Sequence, residues 1–194
     1  MATLLAVLLS LPVAVAIGLY NFKGKHILRS FFNAMLGIPT VALGFILYLI
    51  LSKQGPLGFF GLLFTPTAIV IGQAILITPI VVSLLSNALE SVDPAIKDLA
   101  KTLGASERQA SFAVLGEAKK GAILAIIAAF NRAVAELGIA LMVGGNIAGL
   151  TRVMTTAIAL ETARGEFALS LQLTAILLII VFALTFVMNL LRRD

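Results

Sequence analysis

The sequence has no cysteine and one histidine in 194 residues. A disulfide framework and a cysteine-based metal site are therefore excluded. The lone histidine, His26, sits beside lysines and is expected to be a solvated loop residue rather than a catalytic base or ligand. Charge is also scarce: 12% of residues are charged, against about 25% in ordinary soluble domains. No G-x-x-x-x-G-K-[ST] phosphate loop occurs, so the chain is not expected to bind ATP itself. What the sequence has in excess is apolar surface. Hydrophobic residues make up 60% of it, and the mean hydropathy is +1.11. A soluble domain of this composition would expose large apolar patches. The composition instead predicts an all-α, polytopic membrane protein. Its net charge of +5 is expected to mark cytoplasmic loops, not a nucleic-acid surface.

A helix needs about 20 mostly apolar residues to cross the hydrocarbon. Residues 1–20, 34–52 and 168–191 pass without a single charge, and 121–143 passes with Arg132 and Glu136. Residues 54–89 are also free of charge, too long for one simple span and too short for two with a turn. Their first part, "GPLGFFGLLF", reads as interfacial or re-entrant, and 65–89 reads as one span in which Pro66 and Pro79 are tolerated. About five spans result.

Placing the N-terminus outside puts Lys23, Lys25, Arg29, Lys97, Lys101, Arg108, Lys119, Lys120, Arg192 and Arg193 on the cytoplasmic side. Only Lys53, Arg152 and Arg164 are then outside, so the expected topology is N-out, C-in. No basic residue precedes the first apolar run and several follow it, the reverse of a secretory signal.

One polar stretch interrupts this chain, the loop 91–116. Asp93 and Pro94 form a helix start, an N-cap carboxylate followed by proline at the first helical position. Ile96, Leu99, Ala100 and Leu103 fall on one narrow apolar stripe, and Asp98 is spaced to pair with Lys101. Gly104 supplies a left-handed stop. Ser106 and Gln109 then form a capping box for a second helix running to about Leu115. The unit either lies in the headgroups or docks into a protein groove, and its narrow stripe of small side chains favours docking.

"DLAKTLGA" in this stretch resembles the cytoplasmic E-A-A-x-x-x-G loop of type I ABC-importer permeases. Asp98 stands for the glutamate, Leu99 and Ala100 for the alanines, and Gly104 for the glycine; Leu99 and the later Gly116-Glu117 depart from the pattern. The resemblance implies that Asp98, Leu99, Ala100, Lys101, Gly104, Ala105 and Ser106 form a coupling helix inserted into an ATPase subunit. The stretches 61–73 and 130–162 are similar to the tungstate/molybdate branch, tungstate-type permeases above all. The likeness spans 1–194 as a single transmembrane domain, and it implies that relatives carry an additional leading segment. It implies an oxyanion cargo, an external oxyanion-binding protein, a second copy of the chain and a dimer of ATPase subunits that holds ATP and Mg.

Arg132 and Glu136 are four residues apart and share one helix face. Intramembrane ionisable groups face protein or a water-filled cavity. Two readings stay open: a self-neutralising structural pair, or a pair lining the translocation path together with Asn131 and Asn146. In "GGNIAGLTR", Gly144, Gly145 and Gly149 permit tight turns, and Asn146, Thr151 and Arg152 could offer donors to an oxyanion. Residues 152–167 read as a short helix closed by Gly165. The rival functions are a permease for molybdate, sulfate or another small solute, an intramembrane enzyme, which a single histidine argues against, and a scaffold without transport activity.

Overall fold

A continuous apolar sequence in lipid can satisfy its backbone only as helix or closed barrel, and this one takes the helical solution. The computed structural model describes residues 1–191, and all regular structure among them is helical. Arg192 and Arg193, which counted towards the expected orientation, lie outside the described residues. In chain order the helices are α1 (Ala2–Leu19), α2 (Lys25–Met35), α3 (Thr40–Leu51), α4 (Pro66–Glu90), α5 (Pro94–Thr102), α6 (Glu107–Glu117), α7 (Lys119–Val134), α8 (Gly138–Gly144), α9 (Met154–Ala163) and α10 (Phe167–Leu191). Helices α1, α4 and α10 are long and apolar enough to cross a membrane alone; counting the broken pairs α2–α3 and α7–α8 as one span each makes five.

The chain divides into two compact units. One comprises Leu4–Gly37 and Thr78–Ala129. Its core joins Ala14 of α1, Leu85 and Leu89 of α4, Val114 of α6, Ala118, and Ala125 of α7. Small residues let these helices approach closely. A Cβ on Gly18 would lie 2.7 Å from Leu89 Cβ, and one on Gly121 2.3 Å from Ala88 Cβ. Residues 25–29, expected as loop, open α2 instead, so His26 is an exposed helical residue. Helix α2 turns Lys25 and Arg29, one turn apart, towards Glu90; Lys25 Nζ lies 3.0 Å from its Oε1, and Arg29 pairs with its Oε2. Ser83 Oγ donates to Asn33 Oδ1 at 2.8 Å further along the same contact.

The other unit comprises Met1–Thr3, Ile38–Ile77 and the chain from Phe130 on. Helices α3 and α8 pack through glycine. A Cβ on Gly44 would come within 3.0 Å of Met142 Cβ, and one on Gly138 within 2.8 Å of Thr40 Oγ1. Helix α9 meets α10 at the Thr162 and Ser170 hydroxyls, 2.6 Å apart. The segment 54–64 folds back on the end of α3: Leu57 N–H donates to Ile50 C=O at 3.0 Å, and a single 3-10 turn, Gly58–Phe60, leaves both phenylalanines exposed. Pro66 is the first residue of α4, where its missing N–H costs nothing, so Pro79 is the only proline inside that helix.

Candidate functional site

Two groups of residues singled out by the sequence lie in different units. The first is the helical corner α5–Gly104–α6. Asp93 caps α5 through a hydrogen bond from Ala95 N–H to its carboxylate at 2.9 Å, with Pro94 at the first helical position. Gly104 takes φ +87°, and the Ala105 N–H reaches back to the Ala100 carbonyl at 3.0 Å, closing the helix end. Ser106 Oγ accepts from Gln109 N–H at 3.3 Å while Gln109 Oε1 accepts from Ser106 N–H at 2.8 Å, the reciprocal capping box expected there. Helix α6 runs two residues past Leu115 to Glu117.

The apolar stripe of α5 faces outward in large part: Leu99 is 61% and Leu103 81% exposed. No residue of α5 is buried. Asp98 is exposed, and Lys101 pairs with Glu107 rather than with it. Glu107 also takes Lys97, whose Nζ lies 3.1 Å from Oε2. The two ammonium groups hold the Glu107 carboxyl below the ordinary glutamate range, Lys101 contributing most and Lys97 next. Lys97 Nζ also stands 5.6 Å from the centre of the Tyr20 ring, and the Tyr20 hydroxyl is 3.4 Å from Ser111 Oγ. The corner is thereby tied to the end of α1. Glu107 and Tyr20 had no local signal. Their role appears only once Gly104 folds α6 back beside α5.

The second group surrounds a helix break. The sequence reads 121–143 as one span with Arg132 and Glu136 on a common helix face. The two do meet, Arg132 Nη1 to Glu136 Oε2 at 2.8 Å. Glu136, however, lies in a non-helical break, residues 135–137, between α7 and α8. Its other oxygen, Oε1, accepts the Ile139 N–H at 3.0 Å, one of the orphan donors at the start of α8. The backbone freed by the break is satisfied by side chains that sequence reasoning missed. Gln73 Nε2 donates to the Ala133 carbonyl at 3.2 Å, and Thr155 Oγ1 to the Glu136 carbonyl at 2.9 Å. Within the membrane such satisfaction is what allows a helix to stop. Glu136 is 2% exposed, whereas the Arg132 side chain is 36% exposed. Glu136, Gln73 and Thr155 border a cavity of about 330 Å³ whose remaining wall is mostly apolar, Met154 and Leu177 among it.

Asn131 and Asn146 are not part of this pair. Asn131 Oδ1 accepts from Thr185 Oγ1 of α10 at 2.9 Å. Asn146, at φ +50°, accepts from Arg152 Nε at 3.2 Å and donates through Nδ2 to Thr156 C=O at 3.5 Å. The side chains expected as oxyanion donors, Asn146, Thr151 and Arg152, each donate to a group of the chain itself. Thr151 is buried, donates to the Gly144 carbonyl at 2.5 Å and accepts the Ile147 N–H at 2.9 Å. Gly144 ends α8, and Gly145 and Gly149 take the positive φ that the turns require, +69° and +72°. Among the described residues no three acidic or histidine side chains gather as a metal site.

The sequence is similar to known proteins. Residues 10–194 match the family described as binding-protein-dependent transport system inner membrane component. The chain is 42% identical to the tungstate uptake system permease protein of Campylobacter jejuni, over 90% of this chain and 73% of that protein. It is 39% identical to a probable anion ABC transporter permease protein of Haloferax volcanii, over 93% of this chain and 80% of the relative. It is 31% identical to the molybdenum transport system permease protein of Escherichia coli, over 84% and 77%. The chain belongs to the family of inner membrane components of binding-protein-dependent transport systems and is an ABC-importer permease subunit.

Proposed function

We propose that this permease subunit carries a tetrahedral oxyanion, tungstate, into the cell, driven by ATP hydrolysis on a separate subunit. The observation that carries the coupling reading is the capped corner at Gly104 with Leu99 and Leu103 left open. An exposed apolar pair on a short, capped, polar helix is what a groove in a partner would take. Asp98, Leu99, Ala100, Lys101, Gly104, Ala105 and Ser106 form that docking element. Two ATPase subunits close on ATP and Mg, move α5 and α6, and bias the spans between inward-open and outward-open states. Two copies of this chain form the path, and an external oxyanion-binding protein delivers the cargo. The topology is N-out, C-in, with the corner in the cytoplasm.

Arg132 is the path residue with the best chemistry. Its guanidinium is partly open, always charged and shaped for an oxyanion. Glu136 lowers the net charge of the site, so that an anion is attracted without being trapped. Asn131 and Asn146 act from other faces, Asn131 by fixing α10 and Asn146 by holding the external loop.

Tungstate is favoured by the likeness to the tungstate uptake permease of Campylobacter; the molybdenum permease of Escherichia coli supports molybdate as the second reading. Co-purification from the native membrane tests both. The binding protein that accompanies the chain is expected to bind tungstate more tightly than molybdate or sulfate in calorimetry. A receptor selective for molybdate would move the assignment to the second reading. Purification with neither an ATPase nor a receptor would favour a scaffold.

A further inference from the structure

We propose that Glu107 is the positioning residue of the corner, fixing α5 against α6 so that a push on one is delivered by the other. The inference rests on the coupling reading above and extends it to a residue outside the docking element.

Helix α5 lies against α6 but buries no side chain. Gly104 is left-handed, and a Cβ placed there would meet nothing within 4 Å. Backbone hydrogen bonds close the helix end, and no side chain packs at Gly104 itself. The ion pairs that cross the corner converge on one carboxylate. Glu107, in the first turn of α6, takes Lys97 at 3.1 Å and also Lys101, both from α5. Those lysines are one helical turn apart, so both ends of the outer face of α5 are held to one point. A single exposed ion pair adds little to stability. Here its effect is geometric: two bonds from one helix converge on one group of the next and remove the hinge freedom that Gly104 permits. Lys97 carries the restraint further, lying over the Tyr20 ring at the end of α1.

The test uses the complete transporter, this chain with its ATPase and binding protein, in proteoliposomes. Two quantities are read: capture of the ATPase in a pull-down, and tungstate imported per ATP hydrolysed. E107Q is expected to keep ATPase capture and to lower the import ratio about fivefold, the scale of an ordinary coupling free energy. The exchange K97E/E107K restores one opposite-charge pair across the corner but sets the new ammonium against Lys101, so it is expected to recover part of the ratio lost in E107Q. A merely structural side chain would not be rescued by exchanged charges.

A wild-type ratio in E107Q overturns the proposal, as does an exchange variant no better than E107Q. Should E107Q not fold, K97Q decides: a lowered ratio with ATPase capture kept supports the clasp, and a wild-type ratio overturns it. Gly104→Trp separates this from the underlying reading. Loss of capture in Gly104→Trp with a normal ratio in E107Q removes Glu107 and keeps the docking corner. Normal capture and ratio in both variants removes the corner and the clasp together.

Discussion

Arg132 Nη1 and Glu136 Oε2 lie 2.8 Å apart, and the second oxygen of the same carboxylate takes the Ile139 N–H at 3.0 Å. One side chain thus neutralises a cation and starts a helix. Arg132→Ala is expected to cost about 2 kcal/mol, because it leaves a buried carboxylate with only a backbone partner; the partial exposure of Arg132 keeps the loss below that of a fully buried pair. Glu136→Gln should cost less, about 1 kcal/mol, since an amide oxygen can still cap Ile139. Thermal unfolding in lipid nanodiscs checks the order. The path reading adds that Arg132→Ala slows import, and normal tungstate import by that variant would remove it from the path.

Gly44 and Gly116 should respond to a side chain in opposite senses. At Gly44 a Cβ would sit 3.0 Å from Met142 Cβ and 3.2 Å from Ile139 Cα, so Gly44→Leu is expected to cost about 1–3 kcal/mol by overpacking α3 against α8. At Gly116, inside α6, a Cβ meets nothing within 4 Å, and Gly116→Ala should stabilise by about 0.5–1 kcal/mol through helix propensity. Melting curves of the two variants against the parent measure both signs.

The Glu107 clasp sets a pH dependence of its own. Lys101 and Lys97 lower the folded carboxyl below the ordinary glutamate range, so the clasp is fully present above that range. It is lost as the pH falls through the lowered folded value. Amide exchange at the Gly104 corner should therefore quicken only in acid beyond the usual glutamate titration. High salt should weaken the clasp at neutral pH, because exposed charges are screened. E107Q is expected to abolish both dependences.

Absence of native cysteine makes the topology directly testable. With the N-terminus outside, Lys53→Cys should react with a membrane-impermeant maleimide added to intact cells and Lys25→Cys should not. The reverse labelling would invert the orientation and put the Gly104 corner out of reach of a cytoplasmic ATPase.

The parts of this molecule that were legible in the sequence are those whose cause is local. Asp93, Gly104, Ser106 and Gln109 act on backbone groups within a few residues, so their pattern could be read directly. The helix breaks were harder because the apolar run does not change across them. Residues 37–39, "GIP", form a breaker ahead of α3, inside the charge-free run 34–52 that reads as one span by hydropathy. The break at Glu136 had Gly138 as its only local mark. It is held by Gln73 and Thr155, whose contacts the sequence does not reveal. Helix α2 was hidden for a related reason: its basic residues read as a loop until Glu90 supplied their partner. The pairing of Lys101 with Asp98 followed from helix spacing alone, whereas the fold brings Glu107 to it around the glycine.

The most direct test of the coupling account is ATP-driven uptake of labelled tungstate by proteoliposomes holding this chain, its ATPase and its binding protein. The account predicts accumulation that requires ATP and the receptor, and that Gly104→Trp abolishes along with ATPase capture. Accumulation by the Gly104→Trp variant at the wild-type rate, or uptake indifferent to ATP, would contradict it.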